Sequence, residues 1–292
     1  MAPRHIALAV LVTAVWGFNF VVIHVGLETF PPLLLTVLRF VVAALPVLVV
    51  RPPKVPLRRM LAIGLTWFLG QFVFIFIAMT KGMPPGLASL TLQAQAFFTI
   101  LIAALVLRER PSARQLTGVM VAFCGLALIG FSVGGDMTLL GLGLTMCAAL
   151  SWGVGNVLMR GTGKVDMLPM VVWLSLVPPL PAFALSLAFE GWPAITSAFA
   201  HADLLAYGTV LYLAVPTTLI GFGIWGHLLN LYPAGTVAPF SLLVPLFGTL
   251  SAALVLGERF PPLRFAGMGL IVCGLLILAL PLGRWLRRVR KA

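Results

Sequence analysis

Charge is what this chain has least of. Of its 292 residues only 9% are Asp, Glu, Lys or Arg, against 61% from the apolar set AVILMFWYC. A water-soluble domain carries roughly 25% charged residues, so a soluble globular fold is excluded. Acidic residues are scarcer still. The seven carboxylates, Glu28, Glu109, Asp136, Asp166, Glu190, Asp203 and Glu258, all fall at or beside the ends of apolar runs. None lies mid-run, where a proton relay through a membrane carboxylate would need one. Cysteine is limited to Cys124, Cys147 and Cys273, inside apolar runs and without a CxxC pair. That spacing implies neither a disulfide framework nor a metal site. No HExxH, no nucleophile and base pair and no GKS or GKT phosphate loop is found, so an enzyme is not expected and no cofactor is implied. An ATP-driven pump would need a hydrophilic nucleotide domain for which no segment is long enough.

What the chain does have is apolar length, with a mean hydropathy of +1.12. Between clusters of charge, proline and glycine lie ten apolar stretches, about 6–25, 31–50, 60–79, 86–107, 113–131, 139–159, 167–189, 204–228, 234–256 and 263–282. Each approaches the roughly 20 residues a membrane helix needs. None alternates as the strands of an outer-membrane barrel would. No AxA cleavage site follows the first stretch, which reads as a retained span rather than a signal peptide. The fold class expected is therefore an all-α membrane protein of ten transmembrane helices, with the lipid bilayer as its main partner.

The net charge of +12 and pI near 11.1 would suggest a nucleic-acid partner in a soluble protein. Here the distribution accounts for it. With the N-terminus in the cytoplasm, 15 of the 19 basic residues fall inside: Arg4; Arg51, Lys54, Arg58, Arg59; Arg108, Arg110, Arg114; Arg160, Lys164; and Arg284, Arg287, Arg288, Arg290, Lys291. Only Lys81, Arg259 and Arg264 fall outside, and Arg39 lies within the second span. This bias puts both termini in the cytoplasm, and no nucleic acid is needed to explain it. The basic tail after Gly283 is expected to meet anionic headgroups.

The chain also repeats itself. At a shift of 149, Gly86 lies over Gly235, AALVL at 103–107 over AALVL at 252–256, and Glu109-Arg110 over Glu258-Arg259. Gly118, Cys124, Gly125 and Leu126 continue over Gly267, Cys273, Gly274 and Leu275. The openings match at a shift of 136, Trp16-Gly17 with Trp152-Gly153. Two repeats follow, 1–135 and 136–292. Five spans each is an odd number, so the second copy enters the membrane from the opposite side. Such inverted repeats are the architecture of secondary transporters, with a site at the midplane between them. A duplicated scaffold without transport is the alternative.

Polar side chains far from span ends should face an interior. Thr13, Trp16 and Asn19 share a face of the first span, flanked by Phe20 and His24. Trp67, Gln71 and Phe74 form a stripe on the third, and Gln93 with Phe97 on the fourth. The sixth offers Ser151, Trp152 and Asn156, and the eighth Thr209 and Tyr212 beside Pro216. Helical phase turns Gln95 about 200 degrees from Gln93 and off its face. These residues suggest an uncharged cavity with amides for a polar backbone and aromatic walls for a side chain. As single residues they serve equally as glue between helices. Arg39 is either a satisfied structural charge or an attractor for a carboxylate. Prolines at 46, 178, 179, 181, 216, 239 and 245 are hinges or static kinks.

WGFNFVVIHVGL at 16–27, PPLLLTVLRF at 31–40, GMPPGLASLTLQAQAFFTI at 82–100, the LRER and LGER span ends, GFGIWGHLL at 221–229 and APFSLLVPL at 238–246 form a recognisable pattern. Over nearly its whole length the chain resembles the drug/metabolite transporter superfamily, of the type with two EamA repeats. The resemblance implies ten helices in the bacterial inner membrane and export of small metabolites. LQAQAFFT looks most like exporters of O-acetylserine and cysteine, with aromatic amino-acid exporters a near alternative. It also implies a central cavity between the first, third, fourth, sixth, eighth and ninth spans, which supports Asn19, Gln71, Gln93, Trp152, Asn156 and Tyr212. Members that carry phosphorylated cargo keep basic residues in the membrane, and only Arg39 is available here. The expected activity is alternating-access export of zwitterionic amino acids by a monomer, facilitative because no mid-span acid is present. The candidate substrate-binding residues are Trp16, Asn19, Trp67, Gln71, Phe74, Gln93, Phe97, Trp152, Asn156 and Tyr212. A drug or cation exporter of the same superfamily is the rival reading.

Overall fold

The computed structural model describes residues 1–108, 110–131, 137–232 and 234–279. Glu109, Asp136, the expected boundary at 135 and 136, and the basic tail lie outside the described residues. Ten apolar helices run through it: α1 (Pro3–Thr29), α2 (Pro32–Leu48), α3 (Leu57–Thr80), α4 (Pro85–Val106), α5 (Ala113–Ile129), α6 (Leu139–Arg160), α7 (Met167–Phe189), α8 (Leu204–Leu231), α9 (Phe240–Val255) and α10 (Pro262–Ile277). Six are long and apolar enough to span a bilayer outright, and α2, α5, α9 and α10 are shorter. The chain is thus an all-α membrane protein of two five-helix repeats. A further helix, Trp192–His201, joins α7 to α8. It buries Ile195 and Ala198 while exposing Trp192 and Phe199, and its 10 residues are too few to span.

Packing between the halves is reciprocal. Helix α1 lies on α9 as α6 lies on α4, and α8 on α1 as α3 on α6; α2 meets α7, α4 meets α9 and α5 meets α10. Advancing every helix by five turns this set of contacts into itself, as two copies related by a two-fold axis require. The glycines that permit the closest crossings obey the same rule. A Cβ added to Gly17 would lie 2.5 Å from the Phe247 Cβ, and one added to Gly153 would lie 2.9 Å from the Phe98 Cβ. Where α5 crosses α10, a Cβ on Gly267 would sit 2.7 Å from the Gly125 carbonyl oxygen and one on Gly274 2.6 Å from that of Gly118. Backbones in direct contact replace the side-chain ridges of a soluble bundle, because lipid supplies no hydrophobic force to press larger ones together.

Carboxylates close two helix starts. Glu190, just past α7, accepts the Leu33 and Leu34 N–H groups of α2 at 2.6 and 3.1 Å, and the Ser186 hydroxyl donates to it at 2.6 Å. Glu258, beyond α9, accepts the Gly86 N–H of α4 on both oxygens at 3.1 Å. Each meets orphan donors at the positive end of a helix and ties one repeat to the other. Glu190→Ala is expected to cost about 1–2 kcal/mol, read as a melting point lowered by a few degrees in detergent.

Four interruptions of helical phase also come in pairs. Helix α3 widens to a π-turn at Gly64–Gly70 and α8 does so at Leu213–Ile220. Helix α4 tightens to a 3-10 turn at Leu92–Ala94, and a 3-10 turn at Ala238–Leu242 forms the start of α9. Gly64 and Leu213 are 149 positions apart, the spacing of the sequence repeat. In α8 the cause is visible: Pro216 has no N–H for the carbonyl four residues back, and the Gly221 N–H reaches the Pro216 carbonyl five residues back.

Candidate functional site

The four interruptions border a cavity of about 360 Å³ between the repeats. Its wall includes Trp16, Asn19, Phe20 and Ile23 of α1, Trp67, Gln71, Phe72 and Ile75 of α3, and Ser89, Leu92, Gln93 and Gln95 of α4. Trp152 and Asn156 of α6, Thr217, Phe222 and Trp225 of α8, and Ser241 and Val244 at the start of α9 complete most of it. The six spans implied by the resemblance are all present. Two more contribute one residue each, Arg39 of α2 and Met167 of α7.

Seven of the ten candidate residues are brought together here: Trp16, Asn19, Trp67, Gln71, Gln93, Trp152 and Asn156. Three are not. Phe74 is half-buried against the core, because the π-turn before Gln71 advances the stripe and presents Phe72 and Ile75 instead. Phe97 is fully buried with its ring 6.2 Å from that of Phe123 on α5. Tyr212 donates its hydroxyl to the Val15 carbonyl at 3.0 Å, joining α8 to α1. Gln95, which an unbroken helical phase would turn away, lines the cavity for a similar reason. The 3-10 turn at 92–94 resets the phase of α4 and turns Gln95 to the cavity, where its Oε1 accepts from Asn156 Nδ2 at 2.6 Å. Asn156 also donates to Thr99 Oγ1 at 3.1 Å.

Thr13 and Thr209 donate to carbonyls of their own helices, and His24 lies 3.9 Å from Glu28. None of these three lines the cavity. Ser151 donates at 2.7 Å to the Thr66 carbonyl in the π-turn of α3. Trp16 does the equivalent for the other repeat, its Nε1–H donating at 2.9 Å to the Thr217 carbonyl in the π-turn of α8. The first helix of each repeat thus satisfies a carbonyl in the widened turn of the other, as freed backbone groups in lipid require.

One side of the cavity is a chain of rings. Trp16 lies 5.2 Å from Phe222 and 5.3 Å from Trp225, and Phe222 meets Trp67 edge-on at 5.5 Å. These are ordinary aromatic packing distances, and the rings give the cavity a broad apolar face.

The sequence suggested an uncharged cavity, and the structure corrects this. Arg39, 1% exposed, stands in its wall. Thr218 explains how: its hydroxyl donates to the Leu213 carbonyl within the π-turn and accepts from Arg39 Nε and Nη2 at 3.3 and 3.0 Å. The guanidinium lies 3.9 Å over the Phe72 ring. No Asp or Glu lines the cavity among the described residues. Arginine in a span was visible in the sequence, but which helix it faces depends on a π-turn that sequence periodicity does not report.

The EamA-like transporter profile matches the chain twice, over residues 4–131 and 139–280. A protein of Escherichia coli K12 described as a probable amino-acid metabolite efflux pump is 44% identical, with 99% of each chain covered. One of Salmonella typhimurium with the same description is 47% identical over 92% of this chain and 93% of its own. A probable terminal-alkyne amino-acid exporter of Streptantibioticus cattleyicolor is 27% identical over 92% of this chain and 91% of its own. A solved crystal structure shares the fold at a TM-score of 0.63 and 19% identity, covering 98% of this chain and 99% of the other. With two full profile matches, one to each half of a ten-helix bundle, this chain belongs to the EamA-like transporter family.

Proposed function

We propose that the protein exports small zwitterionic amino acids across the bacterial inner membrane by alternating access, with both termini in the cytoplasm. The observation that carries this is the cavity between the repeats, which pairs the amides of Asn19, Gln71, Gln93, Gln95 and Asn156 with a continuous aromatic face. Amides can satisfy an ammonium or a carboxylate, and rings accept varied side chains. The descriptions of the relatives as amino-acid efflux pumps and exporters support the same reading. A cation exporter is disfavoured by the guanidinium in the wall and the lack of a lining carboxylate among the described residues. Passage is facilitative in this reading, since neither an acid nor a histidine lines the cavity among those residues.

The test is flux of labelled cysteine, O-acetylserine, leucine and phenylalanine in proteoliposomes, with and without a pH gradient. Flux of at least one, unchanged by the gradient, is expected. Flux that drives counterflow of protons would overturn the facilitative reading, and no flux of any would overturn export. Gln93→Ala and Trp152→Ala are each expected to lower flux severalfold while the protein remains monodisperse.

A further inference from the structure

Three buried side-chain atoms among the described residues have no hydrogen-bond partner: Arg39 Nη1, Asn19 Oδ1 and Thr217 Oγ1. All three residues stand in the wall of the same cavity. No other side-chain nitrogen or oxygen fully sealed from solvent among those residues lacks a partner. A native protein leaves few such groups without partners, because each forgoes the solvation it had in water. Three of them around one cavity point to a ligand that completes them.

Their chemistry identifies the ligand class. Arg39 Nη1 is a charged donor. Its sister atoms Nε and Nη2 are already directed to Thr218, so the guanidinium plane is fixed and Nη1 remains as the free edge of the fork. Phe72 covers one face at 3.9 Å, which restricts approach to that edge. Asn19 Oδ1 is a neutral acceptor, and the Thr217 hydroxyl can donate or accept. One cation without a lining counter-carboxylate, together with an amide acceptor, complements one carboxylate and one ammonium. A buried charge left uncompensated is costly, so an anionic group at Arg39 gains more than it would at a neutral wall. A net cation would meet repulsion there.

We propose that Arg39 is the carboxylate-recognition residue of the cavity and that Asn19 Oδ1 accepts from the α-ammonium of the same substrate. This rests on the export reading above and assigns the two poles of the substrate to named atoms. Thr218 is then a positioning residue. It does not touch the substrate, but holds the arginine fork through the turn that Pro216 creates.

The experiment uses the full-length protein in proteoliposomes and the fastest labelled amino acid of the panel. Unlabelled leucine against leucinamide, and phenylalanine against phenylalaninamide, serve as competitor pairs differing only in the carboxylate. In the wild type each amide is expected to compete about tenfold or more weakly than its acid, the loss of one charged hydrogen bond. Arg39→Gln should bring that ratio close to one, and Arg39→Lys should recover part of it. A merely structural arginine would lower total flux without changing the ratio. Should Arg39→Gln fail to fold, Thr218→Val carries the same test, since it keeps the charge but releases the fork, and the ratio should narrow. A wild-type ratio near one, or a ratio unchanged in a folded Arg39→Gln or Thr218→Val protein, overturns the assignment and leaves amino-acid export standing. Absence of amino-acid flux in the wild type removes both.

Discussion

Gly267→Leu is expected to leave no folded protein. At this crossing a Cβ would already sit 2.7 Å from the Gly125 carbonyl oxygen and 2.8 Å from the Ile129 Cγ1. The nearest obstacle is backbone, which has no rotamer to change. Relief requires α5 and α10 to separate along their whole contact, one of the two most extensive between helices here. Overpacking in ordinary cores costs about 1–3 kcal/mol. Rigid backbone on the facing helix places this case among the exceptional losses above about 4–5 kcal/mol. Size-exclusion chromatography of the solubilised variant reads the result: a monodisperse peak at wild-type yield would show that the crossing yields. Gly143, beside which a Cβ would meet nothing within 4 Å, is the matched control and should accept alanine without loss.

Trp16→Ala is expected to reduce amino-acid flux more than tenfold and to lower stability by about 3 kcal/mol, the low end of the cost of removing a large aromatic, because this ring is only half-buried. Trp16 does two things. Its ring packs between Phe222 and Trp225 on the cavity face, and its Nε1–H satisfies the Thr217 carbonyl in the π-turn of α8. Trp16→Phe separates them, because it keeps a ring but strands the carbonyl. That variant should retain most stability, losing about 1–3 kcal/mol for the unsatisfied group. It should still transport poorly, because the same turn carries Thr218, the anchor of Arg39. Flux at the wild-type level in a folded Trp16→Ala protein would show that neither the ring nor the bond matters to passage.

The parts of this architecture that were legible in the sequence are those dictated by lipid. A bilayer demands about 20 apolar residues per helix, so the ten runs mark ten helices, and α5, expected over 113–131, is helical through Phe131. The repeat was legible because close crossings demand glycine at fixed places, and Gly118, Gly125, Gly267 and Gly274 are those places. Seven candidate residues lie at the cavity because an amide or indole in mid-span has few other places to be. Legibility ended where the helices leave α-helical phase. A period of 3.6 residues placed Phe74 and Phe97 on the stripe and Gln95 off it, and the π- and 3-10 turns reverse all three. Tyr212 escaped for another reason: its hydroxyl is absorbed by a backbone carbonyl, and nothing in a sequence tells a satisfied phenol from an available one. The short helix Trp192–His201 is apolar on one side only and was invisible to a search for spanning runs.

The seam between α5 and α10 carries one more consequence. Two backbones that touch through glycine have no intervening side chains to reshuffle, so their crossing angle has little room to adjust. Neither helix contributes a residue to the cavity among those described. Under the alternating access proposed above, the pair is suited to be the axle: the other helices would swing as lever arms about a joint fixed in place, remote from the cargo.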